Sequence, residues 1–167
     1  MLLSSALRDQ LAQIKLLALD SDGVLTDGGV YMLDDGREFR RFSIKDGLGI
    51  KQVQALGVVV AVISASSVAV VRYRAQRLGI AHIYLGESDK LQRLSALCDE
   101  HEIDLAQAAY MGDDLKDMEV MAAVGFSAAP ADAVAQVRQT ASYVTTQAGG
   151  HGAVREVCDA IVAVQSQ

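Results

Sequence analysis

Leu16-Leu17-Ala18-Leu19-Asp20-Ser21-Asp22-Gly23-Val24-Leu25-Thr26-Asp27 is the stretch from which both fold and chemistry follow. The apolar run Ile14, Leu16, Leu17, Ala18, Leu19 reads as a short buried strand. Gly23 breaks it. Asp20 and Asp22 therefore stand at the carboxyl end of a strand, where open α/β sheets place their ligands. Neighbouring buried carboxylates repel one another and are costly without a cation. A bound metal and chemistry on a phosphate would offset that cost.

Outward from this strand the chain alternates. Further strands are expected at Val58–Ile63, His82–Leu85, Ala108–Met111 and Gly125–Ala128. Helices fit Asp46–Leu56, Ser66–Leu78, Lys90–Glu102, Leu115–Val124, Ala131–Thr140 and Ala153–Val164. The strands are apolar almost throughout, as parallel strands covered on both faces are. The expected fold is α/β, a doubly wound Rossmann-like parallel sheet, with residues 1–167 forming a single domain. One segment breaks the rhythm. Val30, Tyr31 and Met32 precede Asp34-Asp35-Gly36, and Glu38, Phe39, Arg40, Arg41 and Phe42 follow, a β-hairpin signature. A lone two-stranded ribbon is marginal in water, so it packs either on another copy of the chain or back on its own sheet.

The bulk numbers narrow the function. A 51% hydrophobic content with a single proline fits a compact regular fold. The net charge of −6, without any Lys/Arg block, argues against a nucleic-acid partner. Cys98 and Cys158 form no CxxC pair, so zinc and redox signatures are absent and two buried thiols in a reducing cytosol are expected. Met1–Lys15 reads as an amphipathic helix without a signal peptide's basic start and apolar core. No apolar run is long enough for a bilayer, so no membrane partner and a cytoplasmic location are expected.

Four strand ends supply polar groups in order: Asp20 with Asp22, then Ser64, then Lys90, then Gly112-Asp113-Asp114 with Asp117 one turn on. Each type has a task in phosphoryl transfer. A carboxylate can attack phosphorus, and a second can protonate the leaving oxygen and later deprotonate water. A hydroxyl and an ammonium can hold phosphoryl oxygens, and further carboxylates can hold a hard cation such as Mg²⁺. Taken singly, each feature has a plainer reading. An Asp-x-Asp is often a solvated turn, Ser64 a helix cap, Lys90 a surface charge, and Asp114 and Asp117 acidic residues at a helix start. Their order, each after an expected strand, is what departs from chance.

The segment Asp20-Ser21-Asp22-Gly23-Val24-Leu25-Thr26, with Ser64, Lys90 and Gly112-Asp113-Asp114, resembles the four motifs of the haloacid dehalogenase-like superfamily of phosphohydrolases. The resemblance implies Asp20 as nucleophile, Asp22 as general acid/base, and Ser64 and Lys90 as phosphoryl-holding groups. It also implies Mg²⁺ on the side chains of Asp20 and Asp113 and the backbone carbonyl of Asp22, with Asp114 and Asp117 in support. Asp22–Gly28, Phe42-Ser43-Ile44-Lys45-Asp46-Gly47 and Gly149–Val157 resemble more narrowly the 3-deoxy-D-manno-octulosonate 8-phosphate (KDO 8-phosphate) phosphatase family of lipopolysaccharide synthesis. That implies a sugar-acid phosphate substrate, no cap domain, a homotetramer whose hairpins and tails help close the site, and substrate contacts at Lys45, Asp46, Gly47, His151 and Arg155.

The chain departs from the family where Thr/Ser-Gly-Arg is usual: here it reads Ser64-Ala65-Ser66, without the arginine. Arg72, Arg74 and Lys45 are candidate substitutes. His151, where family members often carry arginine, is either a substrate contact or an ordinary loop histidine, and Gly149, Gly150 and Gly152 suit a mobile loop. Three alternatives stand beside the octulosonate reading. One is a nine-carbon ulosonate 9-phosphate phosphatase. Another is a phosphorylation-switched receiver module, disfavoured because Gly112-Asp113-Asp114 follows the lysine. The third is a catalytically silent sugar-acid-binding or assembly protein.

Overall fold

The computed structural model describes residues 4–166. Strands β1 (Leu16–Leu19), β4 (Val59–Ser64), β5 (His82–Leu85), β6 (Ala108–Met111), β7 (Phe126–Ala129) and β8 (Tyr143–Val144) form one six-stranded sheet in the order β5-β4-β1-β6-β7-β8. All its pairings are parallel. Strands β2 (Tyr31–Met32) and β3 (Glu38–Phe39) form the separate antiparallel hairpin. The helices are α1 (Ser5–Ala12), α2 (Ile44–Ala55), α3 (Ala69–Arg77), α4 (Lys90–Glu100), α5 (Met118–Ala123), α6 (Ala135–Thr140) and α7 (Ala153–Gln165).

Period-two alternation in β1 sorts the core. Leu17 and Leu19 pack with Leu11 of α1, Ile50 and Val53 of α2, Val71 of α3 and Val157 and Ile161 of α7. Leu16 and Ala18 pack instead with Leu94 and Leu97 of α4, Val120 of α5 and Val137 of α6. The sheet is thus covered on both faces, which is why its strands carry almost no polar residues. After β1 the chain winds outward through β4 and β5, then returns to β1's other side for β6, β7 and β8. The winding reverses between β1 and β6, and the carboxyl ends of these two strands carry Asp20 and Asp113. A sheet of this topology opens its ligand crevice there.

The expected elements lie where the sequence placed them, with boundaries moved by local hydrogen bonds. Helix α2 begins at Ile44 because the Ser43 hydroxyl accepts the amides of Lys45 and Asp46. Helix α3 begins only at Ala69, since the carbonyls of Ser64 and Ser66 accept the amides of Glu87 and Gly86. The stretch Leu115–Val124 splits into a tight turn, Leu115–Asp117, and α5, because the Asp117 carboxylate folds back onto the amides of Asp113 and Asp114. The amphipathic helix expected over Met1–Lys15 is α1; Met1, Leu2 and Leu3 lie outside the described residues. Strand β8 was not foreseen: two residues carry no periodic signal. Between β1 and β4 stand only the hairpin and α2, and no inserted cap separates them.

Candidate active site

After β1 the chain makes a wide turn, Ser21–Leu25, closed by the Thr26 amide on the Ser21 carbonyl at 3.0 Å. The buried Thr26 hydroxyl accepts the amides of Gly23 and Gly28, both at 3.2 Å, which tightens the loop. Gly23 has φ +84°, and a Cβ there would lie 2.1 Å from Asp113 Oδ2. This glycine is needed twice, for the left-handed turn and for the close approach of a carboxylate.

Around this turn a cleft of about 420 Å³ brings together Asp20, Asp22, Ser64, Lys90 and Asp113. The Lys90 ammonium lies 3.1 Å from Asp20 Oδ2 and 2.6 Å from Asp117 Oδ1. Asp20 Oδ1 is buried without a hydrogen-bond partner. The Ser64 hydroxyl lies 2.7 Å from that of Ser21 and accepts the Ser66 amide at 3.2 Å. With Ser21 donating, the Ser64 proton is free for an anionic oxygen in the cleft. Arg40, from the hairpin base, donates from Nε to Asp22 Oδ1 at 3.2 Å.

Asp117 is fully buried and fully used. Its Oδ1 accepts from Lys90 and from the Tyr110 hydroxyl at 2.9 Å, and its Oδ2 accepts the amides of Asp113 and Asp114 at 3.0 and 3.2 Å. It fixes the loop that presents Asp113. Carboxylate oxygens of Asp20, Asp113 and Asp117 lie within 4.8 Å of one another. Because the Asp117 oxygens are already saturated, Asp20 and Asp113 are the side chains able to take a cation. Burial, helped by repulsion from Asp117 and opposed by Lys90, pushes the Asp20 carboxyl up to about 6. Burial, then Asp20, Asp117 and Asp114, push Asp113 up to about 7. Burial works against the Lys90 ammonium, but Asp20 and Asp117 outweigh it and its pKa stands above the usual lysine value. The cleft holds more negative charge than Lys90 can balance. A hard divalent cation fits this donor set and the orphaned Asp20 oxygen.

The other residues singled out in the sequence lie elsewhere. Lys45, His151 and Arg155 line a different cavity, of about 690 Å³. Asp46 is buried and accepts the Arg155 amide at the start of α7 at 2.8 Å. Gly47 is a packing position, where a Cβ would meet Arg74 Nη2 at 2.5 Å. Arg74 itself donates to the Ser43 carbonyl, and Arg72 is exposed on α3, so neither joins the cleft. His151 Nδ1 lies 2.8 Å from the Gly149 carbonyl and its Nε2 3.0 Å from Arg41 Nη1, a pattern that fits the Nδ1–H tautomer.

Two of the tail glycines, Gly149 and Gly150, are set by close approach, and Gly152 by its φ of +113°. A Cβ at Gly149 would lie 1.8 Å from the Gly23 carbonyl oxygen, and one at Gly150 2.5 Å from the Asp27 nitrogen. The tail is thereby packed beneath the turn that carries Asp22. Ser21, Arg40 and Tyr110 escaped the sequence reading. Ser21 lies inside the first motif and offered a signal; Arg40 and Tyr110, reached only through tertiary packing, offered none.

Residues 50–157 match the model of the haloacid dehalogenase-like hydrolase family. The chain is 45% identical over 154 residues, 92% of its length and 82% of the relative's, to the 3-deoxy-D-manno-octulosonate 8-phosphate phosphatase KdsC of Escherichia coli K12. The crystal structure of the Yersinia pestis phosphatase of the same name superposes with a TM-score of 0.96 at 42% identity, covering 98% of this chain and 89% of that one. The Moraxella catarrhalis phosphatase, solved with a magnesium ion, a phosphate ion and KDO, superposes with a TM-score of 0.93 at 40% identity, covering 95% and 91%. The chain belongs to the haloacid dehalogenase-like hydrolases and, within them, to the 3-deoxy-D-manno-octulosonate 8-phosphate phosphatase family.

Proposed function

We propose that this protein hydrolyses KDO 8-phosphate to KDO and inorganic phosphate, with Mg²⁺, through an aspartyl-phosphate intermediate. The supporting observation is the convergence of Asp20, Asp22, Ser64, Lys90 and Asp113 in one cleft of a chain that is 45% identical, over most of its length, to a phosphatase named for this substrate. No feature of the cleft favours the nine-carbon sugar over the eight-carbon one.

In this reading an Asp20 carboxylate oxygen attacks phosphorus, and the bond from phosphorus to the sugar oxygen breaks. Asp22 gives that oxygen its proton, so KDO leaves as the alcohol. Asp22, now ionised, takes a proton from water as the water oxygen attacks phosphorus. The acyl–phosphate bond breaks, and phosphate and free Asp20 result. Arg40 engages Asp22 Oδ1, which leaves Oδ2 to carry the proton. Lys90, held between Asp20 and Asp117, orients the nucleophile and faces the phosphoryl oxygens, and the Ser64 hydroxyl donates to one of them. Mg²⁺ on Asp20, Asp113 and, by resemblance, the Asp22 carbonyl would offset the charge of carboxylates and phosphoryl group when bound.

Homotetramer formation belongs to the same proposal. Val30, Met32, Leu33 and Phe39 of the hairpin are exposed, an apolar ribbon that a neighbouring copy would cover. A cytoplasmic location is proposed on the two buried free thiols, Cys98 and Cys158; no described helix is long and apolar enough to cross a membrane.

The test is phosphate release with Mg²⁺ from a panel of sugar phosphates that includes the eight- and nine-carbon ulosonate esters, with Asp20→Asn alongside. Preference for KDO 8-phosphate and a silent Asp20→Asn are expected. Turnover that survives in Asp20→Asn removes the nucleophile assignment, and better turnover of another ester removes the substrate.

A further inference from the structure

The catalytic cleft is lined by five carboxylates, Asp20, Asp22, Asp113, Asp114 and Asp117, against two cations, Lys90 and Lys116. A phosphomonoester brings nearly two further negative charges at neutral pH. Lys90 is already committed to Asp20 and Asp117. Arg40, which touches Asp22 from outside, is shared with Glu38. Lys116 is exposed, and among the described residues it pairs with no carboxylate.

Its position is fixed by its backbone. Lys116 lies in the tight turn Leu115–Asp117, which the Asp114 cap and the Asp117 carboxylate pin to the end of β6. It lines the cleft together with Ser64, Ala65 and Ser66, and also the adjoining cavity with Ala65, Gly86 and Ser88. The side chain therefore extends from the β6 side of the cleft toward the ends of β4 and β5. Arg40 at the hairpin base contacts Asp22, the residue proposed above as proton donor, and does not itself line the cleft. On the Ser64–Ser66 wall the cleft is lined by short, uncharged side chains, and neither of its lining cations comes from that strand end.

We propose that Lys116 is a phosphoryl-binding residue of this cleft, supplying through its ammonium the positive charge that the Ser64-Ala65-Ser66 wall does not bring. The proposal rests on the phosphatase reading above. It concerns the transferred phosphoryl group, not the sugar acid. Loss of Lys116 should therefore weaken every phosphomonoester alike, and inorganic phosphate with them.

The experiment compares Lys116→Met and Lys116→Arg with the wild-type protein, all Mg²⁺-loaded. Calorimetric titration with inorganic phosphate gives Kd, and steady-state rates on p-nitrophenyl phosphate and KDO 8-phosphate give kcat and KM. For Lys116→Met a rise of about tenfold is expected in phosphate Kd and in both KM values, the low end for a hydrogen bond to a charged group. Lys116→Arg should recover most of it. Wild-type Kd in Lys116→Met overturns the proposal. So does a KM rise confined to the sugar ester, which would make Lys116 a leaving-group contact. So does an arginine variant as weak as the methionine one. If the wild-type protein binds phosphate but turns over no ester, the phosphatase reading falls, while the calorimetric arm still decides Lys116.

Discussion

Gly23→Ala separates two costs that usually arrive together. At φ +84° an L-residue is strained by about 1–2 kcal/mol. Alanine recovers about 0.4–1 kcal/mol by restricting the unfolded chain, so the net loss of stability should be near 1 kcal/mol. The steric cost falls elsewhere. The new Cβ would stand 2.1 Å from Asp113 Oδ2, where real Cβ contacts are essentially never under 3.0 Å, so the carboxylate must retreat by about 0.9 Å. A side-chain rotation achieves this at small cost in folding energy. It is not small for a metal site, whose ligand distances tolerate only about 0.2 Å. The prediction is a modest fall in stability joined to a fall of about 10- to 100-fold in apparent Mg²⁺ affinity. Gly36→Ala is the control: its φ is +82° and a Cβ there meets nothing within 4 Å. Urea unfolding of the metal-free proteins should show similar losses for the two variants. Mg²⁺ titration of phosphate release should separate them. If Gly23→Ala activates at the wild-type Mg²⁺ concentration, Asp113 is not the ligand that Gly23 makes room for, and the metal assignment fails with it.

Other consequences follow from the same contacts. Asp117→Ala leaves the Lys90 ammonium to Asp20 alone and strands the amides of Asp113 and Asp114, and should cost about 2–4 kcal/mol in urea unfolding; a loss under 1 kcal/mol would show that Asp117 does not organise the loop. Arg40→Ala frees Asp22, so kcat should fall about tenfold on the sugar ester but little on p-nitrophenyl phosphate, whose leaving group needs no proton; equal damage to both would place Arg40 outside the proton-transfer step. Glu156 accepts from the Tyr143 hydroxyl, the Thr146 amide and hydroxyl and the Gln147 amide. Burial raises its pKa, but these donors together outweigh it, so the folded value lies below the ordinary 4.5. Its stabilisation is then present above pH 4.5 and lost as pH falls through the depressed folded value. Glu156→Gln should cost about 1 kcal/mol at neutral pH, with the gap to wild type closing in acid; a gap constant across that range would refute the charge-based account.

What the sequence disclosed and what it withheld divide along a physical line. β1, β5 and β6 and the order of the chemical residues are local facts: an apolar run, a breaking glycine, a polar group at each strand end. The winding of the sheet then carries Asp20 and Asp113, far apart in the chain, to the carboxyl ends of adjacent strands without any further information. The withheld part is pairwise and long-range. Nothing local says that Asp46 faces the start of α7, that Arg74 is spent on the Ser43 carbonyl, or that Gly149 lies beneath Gly23. Each of these residues invited a role by its type, a buried acid, a free cation, a flexible loop, and each is instead held by a partner that only the folded chain supplies. The reverse holds for Arg40 and Lys116. Both look like surface charges in a sequence, and packing brings one onto the carboxylate proposed as general acid and the other to the rim of the same cleft. A catalytic motif shows which chemistry a fold can perform; the cations that tune it are recruited wherever the surface happens to arrive.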